Sequence, residues 1–206
     1  IQQKAMEDII ACRTSELGGH TLSCNHCGNK VQSYNSCRNR HCPQCQGHKK
    51  EEWIQKREQE LLPCSYYHVV FTLPEELNGL AIANPTLVYK TLFEAAWATL
   101  NQFGKTEGMQ LGMIAILHTW GQNLSLHPHL HCIVPGGGID HHGKWKKKVR
   151  TDKYLFPVKA LSKVFRAKFA ASLKACGIKD ADFMDKLFTK NWVVYAKRPF
   201  GGPKQV

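Results

Sequence analysis

The stretch SLHPHLHCIVPGGG sets histidine at every second position: His127, His129 and His131. Side chains alternate faces along a β-strand, so in a strand these three rings share one face while Leu130 and Cys132 point to the other. Neutral imidazole is the commonest metal ligand among side chains, and two imidazoles projected side by side can grip one ion. The spacing therefore predicts a metal site on one face of a strand. A merely polar, solvated strand face is the plainer alternative.

A second group with ligand spacing lies upstream, where six of the nine cysteines fall between Cys12 and Cys45. An odd total arranged as C-x-x-C pairs argues for zinc in a reducing compartment rather than for a disulfide framework. Cys24-Asn-His-Cys27 and Cys42-Pro-Gln-Cys45 each offer two thiolates. With Gly28 relieving the first turn and Pro43 stiffening the second, the two knuckles are expected to form one tetrahedral four-sulfur site. Such a site leaves no position for water, so its zinc holds the module together and does no chemistry. Cys12, His20, Cys37 and His41 remain for a second zinc bound by two thiolates and two imidazoles. Cys64, Cys132 and Cys176, scattered among apolar residues, read as buried and inert thiols.

The elements that position these groups follow from composition and periodicity. A chain of 206 residues with 43% hydrophobic content can bury a real core. Its 28 Lys and Arg against 16 Asp and Glu give a net charge of +12, which favours polyanionic partners, nucleic acid above all. No apolar run approaches the roughly 18 residues a membrane span needs, and the N-terminus lacks a signal-peptide core. The chain reads as cytoplasmic, and as a segment excerpted from a longer protein. Residues 1–50 are expected to form the zinc-binding, DNA-recognition module and 51–63 a connecting helix stopped by Pro63. Residues 64–206 then alternate strand and helix. YYHVVFTL is a largely buried strand, and a helix opens at Asn84-Pro85 and runs to Gly104. MIAILHTWG and PHLHCIV form a hairpin, a helix follows Pro157 and ends at Gly177, and NWVVYAKR supplies a fourth strand. That order predicts an α+β fold, a split βαβ (ferredoxin-like) sandwich whose antiparallel sheet is backed by helices. Pro128 cannot donate to a ladder and is expected where the third strand begins.

CRTSELGGH, CNHCG, NSCRNRHCPQCQ, YYHVVFTLPEEL, LHTWGQNLSLHPHLHCIVPGGG and LFPVKALSKVFRAKF, in that order, resemble the rolling-circle transposases of the insertion sequence ninety-one family, which carry an N-terminal zinc-binding domain. The resemblance covers nearly the whole chain. It implies a nuclease core of the HUH class, named for two histidines flanking a hydrophobic residue, here His129-Leu130-His131. In that chemistry Mg2+ or Mn2+ held by His129, His131 and one further polar ligand polarises a phosphate of single-stranded DNA at a transposon end. A tyrosine then attacks to form a covalent phosphotyrosine, and transfer needs no nucleotide cofactor. His127 is the nearest third ligand by strand geometry, with Gln122 and His118 as alternatives. The family's paired tyrosines follow the fourth strand on a helix, and none of Tyr66, Tyr67, Tyr89, Tyr154 and Tyr195 matches them. The chain as given is therefore expected to bind metal and DNA without cutting.

Basic residues supply the expected DNA contacts. Arg38 and Arg40 flank the upstream ligands, and Lys144, Trp145, Lys146, Lys147, Lys148 and Arg150 follow the glycine run, which reads as a flexible turn; an aromatic among cations stacks a base while the charges track phosphates. A non-catalytic zinc-dependent DNA-binding protein is the competing reading, and the two diverge on metal count. Tightly held zinc plus an exchangeable divalent ion marks the nuclease, zinc alone the binder. A hydrolase activating water is disfavoured, because Asp140 is the nearest carboxylate and follows the glycines.

Overall fold

A computed structural model describes residues 2–147 and 154–201. The chain divides into two compact units, Ile1–Leu61 and Leu62–Val206.

In the first unit α1 (Gln2–Ala11) precedes an antiparallel hairpin of β1 (Gly19–Ser23) and β2 (Lys30–Tyr34), whose tip carries Cys24 and Cys27. A long helix, α2 (Pro43–Glu60), follows. The expected connecting helix thus starts earlier than its charged stretch indicates. Pro43 occupies the first turn, where a missing N–H costs nothing, so the second knuckle is the opening of the helix itself. Among the described residues of this unit only Ala11, Cys12 and Cys42 are buried. So small an apolar core cannot offset the entropy of ordering some sixty residues. The cross-link has to come from the sulfurs.

The second unit runs β3 (Tyr66–Thr72), α3 (Asn78–Ala83), α4 (Pro85–Thr106), β4 (Ile114–Trp120), β5 (Leu126–Pro135), β6 (Gly137–Ile139), β7 (Trp145–Lys147), α5 (Val158–Ala175), α6 (Ala181–Thr189) and β8 (Val194–Ala196). Four of these strands make one antiparallel sheet in the order β4-β5-β3-β8. Numbered as the four strands of the sandwich, that order is 2-3-1-4, the split βαβ arrangement. Period-two alternation sorts the side chains. Tyr67, Val69 and Phe71 of β3 and Leu130, Cys132 and Val134 of β5 are buried on the inner face against Leu92 and Leu100 of α4 and Phe165 and Phe169 of α5. Phe165 packs 4.9 Å from Phe71 and 5.3 Å from Trp192, ring centre to ring centre. Each such ring fully removed from water stabilises the fold by about 1.5–3 kcal/mol. With the helices on the inner side, the outer face keeps Ile116 and Tyr195 about half exposed, at 47% and 50%. The odd-numbered histidines of β5 lie on this outer face.

Local departures from the sequence reading have physical causes. Helix α4 starts as expected, with the Asn84 carboxamide oxygen accepting the Leu87 N–H, but it runs through Gly104 to Thr106. A Cβ on Gly104 would sit 2.7 Å from Leu111, so this glycine permits close packing, and the left-handed turn is at Gly108 (φ 70°). The glycines after Pro135 do not form a flexible turn either. Gly137 and Gly138 belong to β6, which pairs with β7, and a side chain on Gly138 would strike the Gln110 carbonyl. Cys132 is buried, whereas Cys64 is only partly covered and Cys176 is exposed, so a buried, inert role fits Cys132 alone of the three.

Candidate metal centres

In the N-terminal unit the sulfurs of Cys12, Cys37, Cys42 and Cys45 lie within 4.8 Å of one another. This corrects the expected grouping. Cys42 and Cys45 keep company with Cys12 and Cys37, while Cys24 and Cys27 stand exposed at the hairpin tip outside the cluster. His20 is exposed on β1, paired with Ser33, and His41 is exposed with its Nε2 accepting the Arg40 Nε–H at 3.1 Å, so neither imidazole joins the sulfurs. The reason is the helix. A knuckle that opens α2 is rigid, and the residues it can gather are those fixed beside it, the end of α1 and the loop before Cys42. A knuckle at the tip of a five-residue hairpin is carried away from them.

The cluster suits zinc. Cys12 Sγ and Cys37 Sγ lie 3.5 and 3.6 Å from Cys45 Sγ, far beyond a disulfide and close to the roughly 3.8 Å edge of a tetrahedron built on Zn–S bonds of about 2.3 Å. Backbone N–H groups already point at the sulfurs: that of Cys37 donates to Cys12 Sγ at 3.5 Å and that of Asn39 to Cys37 Sγ at 3.4 Å. Arg38, in the left-handed region at φ 53°, directs its own N–H to Cys45. Burial pushes the Cys37 thiol up to about 12. Burial also opposes ionisation of Cys45, but hydrogen bonds from Cys12, Cys37 and the Arg38 N–H outweigh it and hold that thiol down to about 7. Cys45 is thus held toward its thiolate form, and a bound cation would let Cys37 ionise beside it.

In the second unit the ring nitrogens of His118, His129 and His131 lie within 4.8 Å of one another. Strand register brings them together, because His118 of β4 sits directly opposite His129 of β5, and β4 places Ile116 opposite His131. Ring centres are 4.5 Å apart for His118–His131, 4.9 Å for His129–His131 and 5.4 Å for His118–His129. His127, the nearest candidate by period-two counting, is not in this group. Between the pairs His118↔His129 and Trp120↔Leu126, β4 has one residue and β5 has two. This bulge falls at His127-Pro128, where proline has no N–H for the ladder, and it breaks the stripe. Pro128 accordingly lies inside β5, two residues after its start. His127 and Gln122 instead line an open cleft of about 770 Å³ beside the triad, with Trp120, Asn123, His118 and His129.

The electrostatics favour a neutral ring at His131. Burial, and then the neighbouring charges of His118, His68 and His129, hold His131 down to about 4. His129 Nδ1 lies 2.6 Å from the His127 carbonyl oxygen, which can only accept, so Nδ1 carries the proton and Nε2 the lone pair. On the other side of the triad, His68 of β3 sets its Nε2 2.7 Å from His131 Nδ1, the rings stacked at 5.0 Å and 10°. Burial and then Lys197 keep His68 below the ordinary imidazole range. The sequence reading missed His68. Its signal was one imidazole in an otherwise apolar strand, two positions from Val70, which pairs with His131.

The expected DNA-contacting residues occupy surfaces. Arg38 and Arg40 are exposed, as are Lys144, Trp145, Lys146 and Lys147 on and beside β7; Lys148 and Arg150 lie outside the described residues. Lys146 Nζ donates to the Glu107 carbonyl at 2.6 Å.

Two family models match the chain, one over each end. Residues 1–73 match the family model "Transposase zinc-binding domain" and residues 112–206 the model "Putative transposase". "Putative transposase y4qJ" of Sinorhizobium fredii is 41% identical across the whole of this chain and 56% of its own length. "Transposase for insertion sequence element IS801" of Pseudomonas savastanoi pv. phaseolicola is 36% identical over 71% of this chain and 36% of its own. The chain thus spans about half or less of these relatives. Among solved structures, the conjugative relaxase TrwC with oriT DNA in a metal-free form has a TM-score of 0.40 at 16% identity, covering 53% of this chain and 44% of that one. Its metal-bound form has 0.39 at 13%, covering 86% and 55%. By the two family models and the transposase relatives, the chain belongs to the insertion sequence ninety-one family of transposases.

Proposed function

We propose that this chain is the DNA-holding and metal-holding part of a rolling-circle transposase that cuts and transfers single-stranded DNA at transposon ends through a phosphotyrosine. The observation that supports this most is the triad of His118, His129 and His131 on an exposed sheet face of a transposase. Three neutral imidazoles cancel none of a cation's charge. His118, His129 and His131 would hold a Mg2+ or Mn2+ ion, which would supply positive charge to the scissile phosphate. The cleft beside the triad, with Trp120 stacked 5.5 Å from His118 and 54% exposed, offers an aromatic platform for an unpaired base. Arg38 and Arg40, and Lys144 to Lys147, supply phosphate contacts on their own units, and the cysteine cluster holds structural zinc.

In the reaction a tyrosine oxygen bonds to phosphorus as the ester to the departing strand breaks, releasing that strand's hydroxyl. Tyr66 and Tyr195 are poorly placed for it. Tyr66 is buried, its hydroxyl accepting the Leu62 N–H at 2.8 Å. Tyr195 shares the outer face, but the register Tyr195↔Val70↔His131 puts it two strands, about 10 Å, from the triad. On this reading the 206-residue chain binds metal and DNA and takes its nucleophile from elsewhere. Incubation with a transposon-end oligonucleotide and Mn2+ tests this. Metal-dependent binding by fluorescence anisotropy is expected, with no covalent adduct on a denaturing gel. An adduct abolished by Tyr195→Phe would overturn the missing-nucleophile part, and failure to bind single strands at all would overturn the whole reading.

A further inference from the structure

We propose that His68 is a positioning residue for the metal site: it receives the Nδ1 proton of His131 and so holds that ring with its Nε2 lone pair aimed at the cation. The inference rests on the metal-binding reading above and adds to it how the ligand set is oriented.

The neutral histidine side chain in water prefers the proton on Nε2, which leaves the lone pair on Nδ1. A site that uses Nε2 must therefore hold the less favoured tautomer, and this is done by giving the Nδ1 proton an acceptor. For His129 the acceptor is a carbonyl of its own strand, that of His127, at 2.6 Å. The nitrogen 2.7 Å from His131 Nδ1 is instead His68 Nε2. His68 can accept at Nε2 in the neutral tautomer that carries its own proton on Nδ1. It is not itself a fourth ligand. Its Nε2 meets the edge of His131 that points away from Nε2, and it lies outside the group whose ligand atoms converge. The position follows from register. His68 opposes Ile133 on β5, one outer-face position along from the Val70↔His131 pair, so its ring reaches across the diagonal. Position 68 is thus fixed by the sheet, and the acceptor does not depend on a loop.

Two substitutions separate the acceptor from the bulk of the ring. His68→Gln keeps an acceptor oxygen near the place of Nε2, and His68→Phe keeps a ring that can still stack near Phe200 but accepts nothing. By calorimetry on the zinc-loaded chain, His68→Phe should weaken Mn2+ binding by about 10–100-fold, the usual cost of losing an outer-shell partner, while His68→Gln should stay within about threefold of the parent. A metal-independent readout accompanies this. In the cation-free protein the ring 15N shifts of His131 should report a protonated Nδ1 in the parent and in His68→Gln, and a move toward a protonated Nε2 in His68→Phe. Unchanged melting temperatures and zinc content confirm that each variant folds. Parent-like Mn2+ affinity and an unmoved tautomer in His68→Phe would overturn the proposal, as would a His68→Gln as weak as His68→Phe. If the parent itself binds no divalent ion at the triad, the metal-binding reading fails, and the 15N shifts alone still decide whether His68 sets the tautomer.

Discussion

The four sulfurs of the first unit come from the end of one helix, a loop and the start of another, and they sit in the only buried patch among that unit's described residues. The three imidazoles of the second unit come from two paired strands whose inner face is already fixed by a large apolar core, and they lie half-covered on the other face. In the first case the ligands are the core. In the second they are mounted on one. On the proposed reading the difference separates a metal that would make a fold from a metal that would work on a surface, and it predicts opposite consequences of ligand loss. Cys42→Ser should take zinc from about one ion per chain to nearly none and leave residues 1–61 open to protease, because structural zinc contributes roughly 10–16 kcal/mol to such modules. The melting of the second unit should not change. Cys24→Ser should keep its zinc, and its loss in that variant, measured by elemental analysis, would restore the two-knuckle grouping.

At the triad the same comparison predicts lost affinity without lost fold. His118→Ala removes a directly converging ring and should cost Mn2+ binding more than the 10–100-fold that an outer-shell group typically carries. His127→Ala, one bulge away, should cost less than about threefold. Circular dichroism and melting of both should match the parent, since neither ring is in the apolar core. A larger loss at His127 than at His118 in titration calorimetry would show that β5 is regular through Pro128 in solution and that the bulge is not what selects the ligand.

This contrast also explains what was legible beforehand. The sandwich order, the outer face of β5 and the His129–His131 pair could be read because period-two alternation is local. The third ligand could not, since it depends on register across two strands and on one extra residue at a bulge, neither of which a single strand reveals. His68 was hidden for the same reason: its partner is 63 residues away in sequence. In the N-terminal unit the ligand types were plain and their partition was not. Spacing shows that Cys24–Cys27 and Cys42–Cys45 are pairs, but which pair meets Cys12 and Cys37 is decided by where α2 begins. Gly104, read as a stop, proved to be a contact with Leu111, because a glycine in a string does not say whether it is needed for φ or for space.

Which unit grips the DNA backbone is the finest form of the comparison, and the smallest effect. For single strands each neutralised phosphate contributes roughly 0.7 to the slope of log affinity against log salt. Lys144 and Lys147 are exposed, whereas Lys146 is tied to the Glu107 carbonyl and Arg40 to His41. Replacing Lys144 and Lys147 with Gln should therefore lower the slope by up to about 1.4, and replacing Lys146 alone by less than about 0.7. The pair Arg38→Gln and Arg40→Gln reports on the other unit. If anisotropy titrations from low to moderate salt show the slope falling only with the arginines, the zinc unit carries the backbone contacts and the β6–β7 hairpin is a solvated edge. If it falls with the lysines, the strand is gripped on the unit that carries the triad, where each phosphate contact also helps set which ester faces the cation.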